Sequence, residues 1–259
     1  MWFNLHMPKA DLKTIVKHCD RELRVDEIAD YDGAHNGLQV ENNGKVRRIT
    51  AAVDASLANV LKAAKIGANL MVVHHGLFWN PQHPWTGKKR DLICALIEND
   101  MAIYSVHLPL DIHPKLGNNM GLCKALKFTR PKAFFEEKGT PIGLRTTTRL
   151  RRTVLANRLE AILGAPPVLL SSGPSECRKI GIVTGGAGSN LRQAATEGID
   201  TFITGEGPHW TAVLAEEMGI NVFYGGHYAT ETFGVKSLAE HLSKKFKLPW
   251  QFIDSPTGL

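Results

Sequence analysis

The sequence predicts an α/β protein built as two similar α/β/α layered halves, related by internal duplication, with a metal site in the cleft between them. Three observations predict it. Short apolar runs alternate with segments of helical periodicity, the pattern of a mainly parallel sheet covered by helices. The second half of the chain repeats landmarks of the first. Histidines and carboxylates fall where the apolar runs end, and in such sheets functional groups collect beyond the carboxyl ends of strands.

The elements follow in order. Ala10 to Leu23 places Leu12, Ile15, Val16, Cys19 and Leu23 on one stripe, which predicts a helix. VRRITAAV, Val46 to Val53, reads as a strand, and Leu57 to Ala64 as a helix closed by Gly67. Leu70 to Val73 is wholly apolar, as a strand buried on both faces must be, so His74 and His75 stand at its tip. A helix over Asp91 to Asn99, a strand over Ala102 to Val106 and a helix over Asn118 to Leu126 complete the first half. TRPKAFFEEKG, Thr129 to Gly139, reads as the divider, giving halves of residues 1–130 and 131–259. In the second half, Ile180 to Val183 is a strand, TGGAGSN a turn into a helix over Leu191 to Thr196, and Thr201 to Thr204 a strand. GEGPHW, a helix, a strand over Asn221 to Tyr224 and a last helix from about Thr230 to Phe246 follow.

The halves align at their landmarks. KIGANLMVVHHGLFW lies over TEGIDTFITGEGPHW, setting Gly67 on Gly198, Gly76 on Gly207 and Trp79 on Trp210. IYSVHLPLD lies over VFYGGHYATE, setting His107 on His227 and Asp111 on Glu231. The doubled His-x-x-x-acid favours duplication over two generic β-α-β units.

Composition sets the outer bounds. At 259 residues and 43% hydrophobic, the chain buries a sizeable core. No apolar stretch reaches the ~18 residues a membrane helix needs. MWFNLHMPKADLK lacks the pattern of a secretory signal, and Met7-Pro8 reads as the natural start. Cys19, Cys94, Cys123 and Cys177 are far apart and form no C-x-x-C pair, so reduced thiols in a cytoplasm are expected. A formal net charge of +6 favours phosphate-bearing partners or simply a well-solvated surface.

The chemistry lies in His74-His75, His107-x-x-x-Asp111 and His227-x-x-x-Glu231. Imidazole with carboxylate suits zinc, iron, manganese, cobalt or nickel. Each group taken singly is as readily a core histidine, a turn cap or a helix-dipole carboxylate. Jointly they exceed what one tetrahedral ion uses, and they suit two metals roughly 3.5–4 Å apart. TGGAGSN lacks the G-K-[ST] of a phosphate loop and reads as a tight turn. Arg145, Arg149, Arg151 and Arg152 read equally as a phosphate-holding group or a solvated face.

NGLQVE, VDAS, VVHHGLFW, YSVHLPLD, TGGAGS, TGE and GHYATETFGVKSL, spread over nearly the whole chain, resemble the type 2 GTP cyclohydrolase I homologues, the NGG-interacting-factor-like family of dinuclear-metal proteins. The resemblance implies metal ligands at His74, His75, Asp111, His227 and Glu231, with two divalent ions (zinc, iron or manganese) per subunit. It implies a toroidal homohexamer whose metal sites face an inner cavity, and places His107 beside the site as a supporting or acid–base residue. DGAHNGLQV departs from the family pattern by carrying His35 near the rim of the site.

The expected function is a dinuclear divalent-metal-dependent hydrolase in which metal-bound hydroxide attacks a nucleotide ring or a phosphoester. His107, or Glu206 at the repeat position of His75, is the expected proton carrier. The alternative is a non-catalytic metal-binding ring that binds nucleic acid or a protein partner, which the basic charge favours.

Overall fold

The computed structural model describes residues 9–79 and 83–259, so the Met7-Pro8 start lies outside the described residues. The chain forms two compact units, residues 1–110 with 235–255, and residues 111–234 with 256–259.

The first unit begins with β1 (Ala10–Asp11) and α1 (Leu12–Leu23). Asp11 caps α1 by accepting the Thr14 N–H at 3.0 Å, and Leu12, Ile15, Cys19 and Leu23 form its buried stripe. Then come β2 (Gly37–Val40), β3 (Lys45–Val46), β4 (Ile49–Asp54), α2 (Leu57–Lys65), β5 (Leu70–His75), α3 (Lys88–Glu98) and β6 (Ala102–Ser105). Strands β4, β5 and β6 are parallel neighbours, and β2 closes the sheet antiparallel to β6. Leu70 to Val73 are at most 1% exposed. Met71 and Val73, on one face of the strand, pack among a cluster including Ala52, Val60, Leu96 and Ile103. Burying each large side chain contributes roughly 1.5–3 kcal/mol. The strand runs two residues past the predicted Val73, so both histidines belong to it.

The second unit holds α4 (Leu108–Asp111) by its last residue, then α5 (Asn118–Ala125), β7 (Lys132–Glu137), β8 (Thr140–Arg151), α6 (Arg152–Leu163) and β9 (Val168–Ser171). It continues through β10 (Glu176–Ile182), a 3-10 turn (Ala187–Asn190), α7 (Leu191–Thr196), β11 (Thr201–Thr204), α8 (Thr211–Met218), β12 (Asn221–Tyr224) and α9 (His227–Thr230). Its sheet runs β7-β8-β10-β11-β12-β9, with β10, β11 and β12 parallel and β9 antiparallel beside β12. Each unit therefore places an early strand, β2 or β9, antiparallel at the far side of its third parallel strand. This shared topology is the internal duplication the repeat predicts.

Two boundaries differ from the sequence reading. The Thr129–Gly139 divider is largely strand β7, hairpinned to β8 with Lys132 opposite Arg145. Leu122 and Cys123 of α5 pack with Leu155, Ile180 and Ile182, so this helix belongs to the second unit and not to residues 1–130. At the other end, α10 (Thr232–Phe246) leads into β13 (Trp250–Phe252), which pairs parallel with β4 and so returns to the first unit. Apolar residues of one stretch can pack on either neighbour, and linear order does not say which.

Candidate metal centre

In the first unit β5 ends on His74 and His75, whose ring centroids lie 4.8 Å apart at the strand tip. His107 follows β6, the next strand. The ligand-capable atoms of these histidines lie within 4.8 Å of one another. His74 is fully buried, and its Nδ1 faces the Val106 carbonyl at 3.0 Å. His75 Nδ1 meets Asp54 Oδ1 at 2.9 Å. His107 Nδ1 meets Asp30 Oδ1 at 2.8 Å. Each contact takes a proton on Nδ1 and leaves the Nε2 lone pair in the form that ligates a metal.

Asp30 is braced in turn. Its Oδ2 accepts from Asn36 Nδ2 and Leu108 N–H at 2.9 and 3.0 Å, and its Oδ1 accepts from Tyr31 N–H at 2.7 Å. Burial alone would raise the Asp30 pKa, but His107, Asn36 and Tyr31 together hold it below the ordinary carboxylate value. Asn36 also accepts the His107 backbone N–H at 2.7 Å, which gives the NGLQ segment a task. Trp79 packs its edge against His107 at 5.0 Å and against His75 at 6.0 Å, restricting ring rotation. His35 is exposed, with its ring on Phe78 and its carbonyl accepting from Gln39.

The second unit presents His227 at the start of α9 and Glu231 just after it, a spacing that puts both on one face. His227 Nε2 lies 3.1 Å from Glu231 Oε1, and its Nδ1 lies 2.8 Å from Glu206 Oε1. Burial would lower the His227 pKa, but the two carboxylates raise it to about 9. Gly185 is obligatory beside them: it takes φ 74°, and an added Cβ would run into Glu231 Oε1. Asp111 is buried, accepting from Asn118 Nδ2 at 2.7 Å and Thr184 Oγ1 at 3.4 Å. TGGAGSN forms the turn the sequence favours, with the Gly185 carbonyl accepting Gly205 N–H at 2.8 Å.

His18, Glu22 and His241 gather a further group in the first unit, also within 4.8 Å. The Nε2 atoms of His18 and His241 are 2.8 Å apart in rings inclined by only 18°, with centroids 5.0 Å apart. That is an N–H···N hydrogen bond, nitrogen to nitrogen. The buried Nδ1 of His18 has no hydrogen-bond partner among the described residues. Through the N–H···N contact the pair joins α1 to α10. The cysteines are free thiols; burial pushes the Cys123 thiol up to about 12 and makes it inert.

Each unit therefore offers groups of a kind that could hold a divalent metal: His74, His75 and His107, each with Nδ1 held by an oxygen, in the first, and His227 with the buried carboxylates Asp111 and Glu231 in the second. The family model for DUF34/NIF3 (NGG1p interacting factor 3) matches residues 10–257. The chain belongs to the DUF34/NIF3 family. A protein of Deinococcus radiodurans named GTP cyclohydrolase 1 type 2 homolog is 38% identical over 230 residues, covering 88% of each chain. A homolog of the same name from Halobacterium salinarum is 39% identical over 255 residues, 96% of this chain and all of that one. Among solved structures, TTHA1606 from Thermus thermophilus superposes with a TM-score of 0.89 at 35% identity, covering 96% of this chain and 100% of that chain. Within this NIF3 fold, sequence reasoning found the histidines but missed Asp30 and Asp54, which hold His107 and His75. The signal was available: a buried ligating imidazole requires an acceptor for its second N–H, and Asp54 ends β4 beside β5.

Proposed function

We propose that this NIF3-family chain is a dinuclear divalent-metal-dependent hydrolase of the GTP cyclohydrolase 1 type 2 kind, acting on a nucleotide ring or a phosphoester. The observation that carries the reading is the shared treatment of His74, His75 and His107, whose Nδ1 atoms each face an oxygen acceptor so that Nε2 is set for coordination, while His227 stands between Glu206 at Nδ1 and Glu231 at Nε2 and would ligate on giving up its Nε2 proton. His74, His75, Asp111, His227 and Glu231 would hold two divalent ions, with zinc, iron and manganese all chemically suited. Bound there, such a pair supplies Lewis acidity and lowers the pKa of water from 15.7 toward about 7.

The remaining residues act by position and protonation. His107, held by ionised Asp30, is the group suited to hand a proton to a leaving atom or take one from water. Glu206, engaged on His227 Nδ1, orients that imidazole and accepts its proton. A cleft of about 500 Å³, lined among others by Glu206, His209, Thr211 and Tyr224, is of a size to take a nucleotide. Consistent with the resemblance, the working form is proposed to be a cytoplasmic homohexameric ring. Among the described residues, no helix is long and apolar enough to cross a membrane.

The test combines elemental analysis with turnover. Purified protein should carry near two metal ions per chain, and the ring assembly should appear in sedimentation velocity. Metal-loaded protein should hydrolyse GTP or a phosphodiester, and His74→Ala and Asp111→Asn should abolish that turnover. Turnover unchanged in both variants removes the mechanism.

A further inference from the structure

The basic segment noted in the sequence acquires a shape in the second unit. Strand β8 alternates there: Thr146 turns inward, its hydroxyl donating to the Thr129 carbonyl at 2.9 Å, while Arg145 and Thr147 turn outward. The ladder sets Lys132 of β7 directly opposite Arg145, and Lys179 of β10 directly opposite Thr147. Partners in register share a face, so Lys132, Arg145, Thr147 and Lys179 form one outward patch across three strands. With Arg130 and the Glu197–Ile199 segment after α7 they line a cavity of about 360 Å³.

Three features of this cavity call for an anion. First, Arg130, Lys132, Arg145 and Lys179 make no ion pair among the described residues. The only carboxylate among its described lining residues, Glu197, is committed to the Phe135 N–H at 3.2 Å and Gln193 Nε2 at 3.5 Å. Second, like charges directly opposite on paired strands destabilise a sheet, yet Lys132 faces Arg145. Third, Arg130 holds φ 51° immediately before Pro131, a backbone state that a non-glycine residue rarely adopts and that tends to persist where it serves a site. By contrast Arg152, at the end of the same basic run, is structural: its guanidinium donates to the Ser171 and Gly173 carbonyls and to Asn221 Oδ1.

We propose that this cavity binds the phosphate of a small phosphorylated ligand of nucleotide size, with Arg145, Lys179, Lys132 and Arg130 supplying charge and the Thr147 hydroxyl a directional donor. The volume admits a mononucleotide and little more. The site uses none of the metal-ligand residues and stands whether or not the chain is a hydrolase.

The experiment titrates metal-loaded protein with inorganic phosphate and with GMP by calorimetry, at low and moderate salt. Wild type should bind GMP, and the R145A/K179A double variant should bind it at least about tenfold more weakly, while metal content stays that of wild type. Lys132→Thr gives an independent readout: removing one of two facing cations should raise the unfolding midpoint in phosphate-free buffer and still weaken GMP binding. No GMP or phosphate binding by wild type at millimolar concentration overturns the proposal, as does equal binding by the folded double variant. A short single-stranded RNA that binds far more tightly than GMP, with a log–log salt slope worth several phosphates at about −0.7 each, also overturns it in favour of a nucleic-acid surface.

Discussion

The two sheets share a parallel three-strand centre and an antiparallel neighbour, yet they support their histidines differently. In the first, β5 ends on His75, opposite Asp54 of β4, and His107 beyond β6 leans on Asp30 from the segment before β2. In the second, the position after β11 that repeats His75 is Glu206, and it is Glu206 that holds His227. Beside it stands Gly185, without a side chain, giving Glu231 room. Duplication has kept the strand tips and the His-x-x-x-acid spacing, while the acid that steadies the imidazole comes from a preceding segment in one half and from a neighbouring strand tip in the other. The geometry required of a ligating histidine is an acceptor at Nδ1, and either source satisfies it.

That equivalence can be broken or sharpened by experiment. The largest effect is expected from the proposed ligands: His75→Ala and His227→Ala should each lower bound metal by about one ion per chain and abolish the proposed hydrolysis, read by elemental analysis and turnover. If either variant retained both ions, the halves would not contribute as equals. Next, Asp30→Asn and Glu206→Gln should leave the fold intact and weaken metal affinity or activity about 10–100-fold, measured by competition with a chromogenic chelator. Similar losses in the two variants would establish that the two arrangements are interchangeable, and a loss confined to one would rank them. A smaller change is expected at the glycines. Gly185→Ala should cost about 1 kcal/mol or more in urea unfolding, because it adds a collision with Glu231 to the strain of φ 74°. Gly67→Ala, at φ 73° with open space around it, should cost less. Least of all is a pH effect. Burial, with Lys245 and His241 adding to it and Glu22 opposing, holds the His18 pKa below 6.5. A lowered histidine contributes stability that is full above 6.5 and is lost as pH falls through its folded value. Thermal unfolding should therefore show a lower midpoint at pH 5 than at pH 7, and His18→Gln should shrink that difference.

Much of this was legible in the linear order. The wholly apolar Leu70–Val73 run required a doubly buried strand, Gly67 marked the end of α2, and the spacing from His107 to Asp111 and from His227 to Glu231 exposed the repeat. Strand β7 was misread because FFEE in TRPKAFFEEKG, beside a glycine, looks like a linker until β8 pairs with it. Arg145 and Arg152 were indistinguishable as letters, and only the register showed one outward in a cavity and the other tied to two carbonyls and an asparagine.

By itself, then, the sequence determined the α/β class, the duplicated layout and the identity of the metal-capable side chains, because periodicity and residue chemistry are local properties. The tertiary structure alone decided that β13 joins β4, that Asp30 and Asp54 serve His107 and His75, and that Lys132 faces Arg145. Those are pairings between residues distant along the chain, and they depend on register and on which apolar face each element buries, which no single segment specifies.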